Sequence, residues 1–204
     1  MISEPLSRFL ERLASAEPTP GGGSASALAC AMAAALLSMV SRLTKSKEAT
    51  APLAAPAARL DQARVALLDL TAKDAQAFDD VMRAMRMPKE TDEQRRSRQH
   101  AIQKTLIEAA AVPLAVAAHG VEVLKTAVPV AREGNPSAIS DAGVAALLGD
   151  AGVQGAILNV RINLAGIKDA EYVAATDARA GELGAESIRL RDEVMEIVRN
   201  RLAR

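Results

Sequence analysis

The chain has 204 residues, half of them hydrophobic, and its 25 basic and 25 acidic residues balance. The length fits a single domain over residues 1–204, and balanced charge without a basic tract argues against nucleic acid as a partner. The single cysteine, Cys30, excludes an intrachain disulfide and a cysteine-based zinc cluster, and fits a reducing cytoplasm.

Hydrophobic periodicity and capping residues predict an all-α bundle of about six or seven long helices and no strand. The predicted helices run over Pro5–Ala16, from Ser24 to about Thr44, from between Pro52 and Pro56 to about Met85, from Thr91 past Leu124, from Pro136 to about Leu164, and from Asp169 onward. Only 1% of the chain is aromatic, so the core must be built from small and aliphatic side chains. Because such side chains bury little area each, we predict close helix packing and a homodimer or higher homo-oligomer.

Local signals set the predicted helix ends. Thr91 and Gln94 fit a capping box, and Asn135 with Pro136 fits an N-cap followed by the first helical residue. Pro113 should kink the fourth helix, and the glycines at 149–152 are a candidate interruption of the fifth.

The apolar run Ala25–Val40 is shorter than the ~20 residues that a bilayer requires. We therefore predict a buried helix and no membrane partner. The first eighteen residues carry three glutamates and no lysine, which does not resemble a signal peptide.

The glycine-rich segment Pro18–Ser24 is the first candidate site. Pro20, Gly21, Gly22, Gly23 and Ser24 lead into a helix N-terminus, whose free N–H groups can hold a carboxylate or phosphate. The alternative interpretation is a plain helix–helix turn.

Asp141 is the first candidate for a catalytic carboxylate. It lies near a helix N-terminus, close in sequence to Asn135 and Ser140, and before a strongly apolar stretch. A carboxylate facing an apolar pocket can act as a general base or pair with a cation. The alternative is an ordinary helix-start acid.

Asn159 and Asn163 are four residues apart and share one helix face. Two amides in an apolar stretch need partners, which could be a neighbouring helix or a ligand. On a straight helix Asn159 stands ~27 Å from Asp141. Both can serve one site only if the ligand is long, the helix breaks, or a second subunit contributes.

Asp74 is the second candidate acid, and Lys89, in a loop, could reach an anionic ligand; an exposed lysine is the alternative. The only two histidines, His100 and His119, are ~28 Å apart on one predicted helix and cannot share a metal. Metal chemistry is therefore not expected.

An ordered set of motifs resembles the cyclodeaminase/cyclohydrolase family of folate enzymes. The motifs are Pro18–Ser24, Ser38–Val40, Leu43–Thr44, Asp74–Phe78 with Met82, Pro88–Lys89, Val112–Leu114, Gly134–Asn135, Ile139–Val144 and Leu158–Asn163. Related proteins often have a lysine-rich stretch that ends in tyrosine after the Leu-Thr pair. Here the stretch Lys45–Thr50 has no tyrosine.

The resemblance implies an all-helical homo-oligomer that acts on the one-carbon unit of tetrahydrofolate, without metal or redox cofactor. The first hypothesis is formiminotetrahydrofolate cyclodeaminase. The alternatives are methenyltetrahydrofolate cyclohydrolase and a non-catalytic helical assembly protein on the same scaffold. Asp141, then Asp74, would provide the carboxylate beside the substrate cation.

The expected binding groups are Pro20 with the amides of Gly21–Ser24, and the side chains of Lys89, Asn135, Ser140, Asn159 and Asn163. Because aromatic residues are scarce, the pterin is expected to lie between aliphatic side chains.

Overall fold

The computed structural model describes residues 5–44 and 53–203, which contain no β-strand. The helices are α1 (Leu6–Leu13), α2 (Gly22–Leu43), α3 (Ala54–Met85), α4 (Asp92–Glu133), a short 3-10 turn (Pro136–Ala138), α5 (Ile139–Leu164) and α6 (Ala170–Leu202). The prediction of an all-α fold is confirmed. The lysine-rich stretch Lys45–Thr50 lies outside the described residues.

Capping residues were the most accurate sequence signals. Thr91 and Gln94 form the expected capping box at the start of α4. The Asn135 side chain accepts from the Ser137 N–H, and the Asp169 side chain accepts from the Tyr172 N–H. These short-range bonds satisfy helix donors that have no partner within the helix.

Two local predictions are wrong. The second helix begins at Gly22 with Gly21 as N-cap, so Ser24 lies inside the helix. The fifth helix runs without a break through Gly149 and Gly152, because these glycines allow close helix packing. A Cβ at Gly152 would lie 2.5 Å from the sulfur of Cys30.

The two central helices, α2 and α5, run antiparallel. At one end Gly22 lies against the Asn159 side chain, and at the other the Asn135 amide donates to the carbonyl of Leu43. The helix α3 packs beside α2, and α6 packs beside α5. The long helix α4 packs against α3, α5 and α6. This arrangement brings the start of α2 to the end of α5.

Among the residues that the structure describes, three segments could cross a membrane by length and composition alone: Gly22–Leu43, Asp92–Glu133 and Pro136–Leu164. Between 50% and 61% of each apolar window is buried inside the fold. The predicted burial of Ala25–Val40 is found on one side of the helix: Cys30, Ala34 and Leu37 are fully buried, whereas Met32 and Met39 are exposed.

Candidate active site

An elongated cavity of about 390 Å³ lies where the N-terminus of α2 meets α3, α4 and the end of α5. Its polar lining comes from the glycine-rich turn, from Asp74 on α3, and from Asn159 and Asn163 on α5. The apolar lining is supplied by Ala77, Phe78, Val81, Met82, Met85, Leu106, Ala109 and Ile162. Residues that are distant in sequence therefore form one site.

The carboxylate of Asp74 lies at the N-terminus of α2. The Ser24 hydroxyl donates to Asp74 Oδ2 over 2.9 Å, and the Ser24 backbone N–H donates to the same carboxylate. The hydroxyl also lies 3.2 Å from the carbonyl oxygen of Thr71. Since α2 has no side-chain cap of its own, Asp74 satisfies one of its free N–H groups from a neighbouring helix.

The carboxylate of Asp74 lies directly over Gly23. A Cβ at this position would lie 2.1 Å from Asp74 Oδ1 and 2.6 Å from its carboxyl carbon. Any other residue would therefore displace Asp74 or separate α2 from α3. By contrast, a Cβ at Gly21 would meet only the Pro18 carbonyl oxygen, at 3.7 Å.

Burial raises the pKa of Asp74 above the ordinary value of 3.8, and the hydrogen bonds from Ser24 offset part of this rise. Asp74 forms no ion pair with a Lys, Arg or His among residues 5–44 and 53–203. A half-buried carboxylate without a cation at the end of an apolar cavity can stabilise a cationic ligand or accept a proton.

The two asparagines are held by backbone carbonyls. Asn159 Nδ2 donates to the carbonyl of Gly155 over 2.8 Å, and Asn163 Nδ2 donates to that of Ala109 over 2.9 Å. Their Oδ1 atoms form no hydrogen bond with the described residues. The sequence left open whether the partner of these amides is a helix or a ligand. The two alternatives are compatible, because each side-chain NH₂ group donates to a helix carbonyl while the side-chain oxygen can still accept from a ligand.

One face of α3 forms the floor of the cavity. Asp74, Phe78 and Met85 follow the helical spacing, with Ala77, Val81 and Met82 between them. From Asp74 to Met85 is eleven residues, or about 16 Å of helix. The cavity therefore suits a long and largely apolar ligand with polar groups at the Asp74 end.

The structure brings together only part of the sequence-predicted site. Gly21, Gly22 and Gly23 line the cavity with Asp74, Asn159 and Asn163. Pro20 and Ser24 are buried just behind the turn.

Four candidate residues lie outside this cavity. They are Lys89, Asn135, Ser140 and Asp141. Because α5 is continuous, Asp141 lies ~27 Å along it from Asn159, so within one chain Asp141 does not reach the cavity. The amide of Asn135 instead joins the start of α5 to the end of α2.

The described residues contain no group of three His, Cys, Asp or Glu side chains that could hold a metal ion. His119 lines a separate surface pocket with Glu122 and Lys125. His100 is exposed. Catalysis without a metal stays a prediction.

The sequence analysis missed the apolar walls and one basic cavity. Val81, Met85 and Ile162 were not singled out, although the residues on α3 repeat at helical spacing from Asp74. Arg98 and Lys168 lie beside Lys89 in a second cavity. No local motif marks this cluster, because its members come from a loop, α4 and the α5–α6 connection.

Residues 5–182 match the family model described as formiminotransferase-cyclodeaminase. The chain is 40% identical to a methenyltetrahydrofolate cyclohydrolase of Methylorubrum extorquens, over 98% of each chain. It is 36% identical to the formimidoyltransferase-cyclodeaminase of Sus scrofa over 90% of this chain. The match spans only 35% of the pig protein.

A similar structure has also been solved. The formiminotetrahydrofolate cyclodeaminase of Thermotoga maritima superposes with a TM-score of 0.86 over 97% of both chains, at 29% identity. The two proteins therefore share their helical arrangement over nearly the whole chain.

Proposed function

Because the chain belongs to the formiminotransferase-cyclodeaminase family, we propose that it acts as a methenyltetrahydrofolate cyclohydrolase. The chain is an enzyme of folate one-carbon chemistry, and the non-catalytic alternative is set aside. The 40% identity to the Methylorubrum protein over 98% of each chain favours hydrolysis. The sequence analysis placed the cyclodeaminase first and the cyclohydrolase second, and we now propose the opposite order. The observation that carries the proposal is Asp74, a half-buried carboxylate without a cation in an apolar cavity.

In this reaction water adds to the cationic carbon that bridges N5 and N10. The oxygen forms a bond to that carbon and loses a proton to Asp74. As the bond from carbon to N5 breaks, the hydroxyl of the adduct loses its remaining proton and becomes the formyl carbonyl. N5 takes a proton, and 10-formyltetrahydrofolate leaves with the formyl group on N10. One proton is released to solvent overall.

Asp74 can assist this reaction in two ways. Its negative charge stabilises the methenyl cation, and its raised pKa makes it a better proton acceptor than an exposed carboxylate. Ser24 holds the carboxylate in place through two donors.

The remaining groups bind and orient the folate. By their position in the first turn of α2, the Gly22 and Gly23 N–H groups have no partner within the helix, so they can donate to an oxygen of the substrate or of the adduct. The free Oδ1 atoms of Asn159 and Asn163 can accept from N–H groups of the pterin. No cofactor beyond the folate substrate is part of this proposal.

A second candidate is formiminotetrahydrofolate cyclodeaminase, favoured by the full-length match to the Thermotoga structure. Here N10 attacks the formimino carbon on N5, ammonia leaves, and the methenyl cation forms. Asp74 would stabilise the same cation, now as product. Both reactions therefore require a carboxylate beside the methenyl cation.

Two assays on one enzyme preparation test this proposal. We expect loss of methenyl absorbance from 5,10-methenyltetrahydrofolate at a rate well above the buffer reaction. Ammonia release from 5-formiminotetrahydrofolate at a higher kcat/KM would instead support the deaminase, and absence of both activities would contradict the proposed function. The Thermotoga enzyme provides a positive control for ammonia release.

We also propose that the protein is a homodimer, in the cytoplasm, with α2 and α5 at the subunit interface. On α5, Val144, Leu147, Leu158 and Ile162 lie within about 60° of one helix face, at 100° per residue. Leu158 is 67% exposed and Ile162 is 73% exposed. The adjacent, antiparallel α2 exposes Met32, Met39 and Leu43. A second copy would cover this apolar surface, as expected from the small-residue core.

The proposed dimer would place the second copy beside the cavity, because Ile162 belongs to both the exposed surface and the cavity lining. We expect Leu158→Glu to shift the protein from dimer to monomer in sedimentation and to lower turnover. Leu202→Glu, a charge on an exposed leucine at the end of α6, is the control and should remain dimeric. A wild-type protein that sediments as a monomer at all concentrations would contradict the dimer.

A further inference from the structure

The hydroxyl of Ser24 has two acceptors within reach. Its Oγ atom lies 2.9 Å from Asp74 Oδ2 and 3.2 Å from the carbonyl oxygen of Thr71. Because a serine hydroxyl carries a single hydrogen, it can make a full hydrogen bond to only one of these oxygens at a time. Both acceptors belong to α3, whereas the hydroxyl belongs to α2.

This hydroxyl is shielded from solvent. Ser24 is fully buried and Thr71 is 5% exposed. The Thr71 side chain does not take part, because its own hydroxyl donates to the carbonyl oxygen of Leu67 over 3.1 Å. A buried donor without an acceptor costs free energy, so the hydrogen of the Ser24 hydroxyl stays on one of the two acceptors that α3 provides.

The charge on Asp74 determines which acceptor is the stronger one. A hydrogen bond to an ionised carboxylate is roughly twice as strong as a bond to a neutral acceptor. The hydroxyl therefore binds Asp74 while the carboxylate is ionised. Once Asp74 carries a proton this advantage is lost, and the Thr71 carbonyl, a neutral acceptor in both states, can take the hydrogen bond.

No second charged group faces Asp74 from the surrounding helices. Among the described residues that α2, α3, α4, α5 and the glycine-rich turn contribute to the cavity, Asp74 is the only one with a titratable side chain. The adjacent Lys73 pairs with Asp69 over 2.7 Å. Glu17, before the turn, is exposed and lies outside the lining. The proton affinity of Asp74 thus depends on its burial and on Ser24.

We propose that Ser24 is a positioning residue for the proton transfer, and that its hydroxyl turns from Asp74 to the Thr71 carbonyl when Asp74 takes a proton. The catalytic part of this inference rests on the proposed function. Before the reaction, the hydroxyl favours the ionised carboxylate that faces the methenyl cation. When the attacking water passes its proton to Asp74, the hydroxyl keeps a partner by rotating about its Cβ–Oγ bond, so no heavy atom has to move.

A pair of serine variants separates this role from packing. Ser24→Ala removes the hydroxyl but keeps the backbone N–H that also binds Asp74, and alanine is favourable inside a helix. We expect kcat/KM to fall by about tenfold or more on the acid limb of its pH profile, and by no more than about threefold on the plateau. Ser41→Ala is the matched control, because Ser41 is buried on the same helix and donates to the Leu37 carbonyl over 2.8 Å. It should stay within about twofold of the wild type at every pH.

Two further measurements need no substrate. Carbon-13 NMR follows the titration of the Asp74 carboxyl, with Asp74→Asn for assignment, and its midpoint should move to higher pH in Ser24→Ala and stay in place in Ser41→Ala. Neutron diffraction from crystals in heavy water locates the deuterium on Ser24 Oγ. The deuterium should point to Asp74 Oδ2 above the wild-type midpoint and to the Thr71 carbonyl oxygen below it.

Three results overturn the inference alone. They are a Ser24→Ala titration that superposes on that of the wild type, a deuterium directed at Asp74 Oδ2 on both sides of the midpoint, and an equal loss of kcat/KM at every pH. A wild-type enzyme without turnover contradicts the proposed function instead, and the titration and the neutron structures then still decide whether the hydroxyl turns. Thermal unfolding of both serine variants checks that the fold is intact.

Discussion

Asp74→Asn should lower kcat by about a hundredfold to ten-thousandfold while the protein remains folded. The substitution keeps the shape of the side chain and an oxygen that can accept from Ser24, but it removes the charge and the proton acceptor. Steady-state kinetics with 5,10-methenyltetrahydrofolate measures the effect. A folded Asp74→Asn enzyme with full turnover would exclude Asp74 as the catalytic carboxylate.

The same variant has an expected effect on stability. Because burial raises the pKa of Asp74 in the folded state, the unfolded chain loses this proton first as pH rises. The free energy of unfolding is therefore lower above the raised pKa than at low pH. The Asp74→Asn variant has no carboxylate to ionise, so its thermal unfolding at pH 7 should occur at an equal or higher temperature than in the wild type. The difference should vanish below the ordinary aspartate pKa of 3.8.

The pH dependence of wild-type turnover follows from the same group. Catalysis requires the ionised carboxylate, so activity should fall as pH decreases through the raised pKa of Asp74. Asp79→Asn is the matched control, since Asp79 is an exposed acid on the same helix, and it should change turnover by less than about twofold. Asp141→Asn tests the first sequence hypothesis, and a large loss there would mean that the partner chain supplies Asp141.

Helix positions and ends were largely predictable from the sequence. Thr91, Asn135 and Asp169 act on N–H groups within three residues, so their capping roles depend only on local chemistry. The glycines at 149–152 led to a wrong prediction because glycine can either interrupt a helix or allow a neighbouring helix to pack closely. At Gly152 the absence of a side chain makes room for Cys30, which is distant in sequence.

The site was harder to predict because its contacts are long-range. The sequence identified Asp74, the triple glycine and the two asparagines separately, but no local pattern shows that Asp74 lies over Gly23. The preference for Asp141 came from its polar sequence neighbours and the apolar stretch that follows it, which give no information on which cavity a residue faces. The second cavity, which Lys89 and Lys168 line, was missed for the same reason, since these two residues are distant in sequence and meet only in the fold.

Substitution of the three glycines by alanine should give a graded series in which Gly23→Ala is by far the most damaging. Helix propensity alone favours alanine in a helix by roughly 0.5–1 kcal/mol. At Gly23 that gain is outweighed, because the new Cβ would lie 2.1 Å from Asp74 Oδ1. The carboxylate would then have to move by about 1 Å or more, and a displacement of that size costs about a hundredfold in turnover.

The other two positions act as internal controls. A Cβ at Gly21 would lie 3.7 Å from the Pro18 carbonyl oxygen, an ordinary contact, so Gly21→Ala should retain turnover within about twofold. At Gly22 the nearest atom is Asn159 Nδ2 at 3.3 Å, so a small shift of that amide should raise KM more than it lowers kcat. Equal kinetics for all three variants would show that the turn is a plain connection between helices. Retained turnover in Gly23→Ala alone would show that the placement of the Asp74 carboxylate is not required for catalysis.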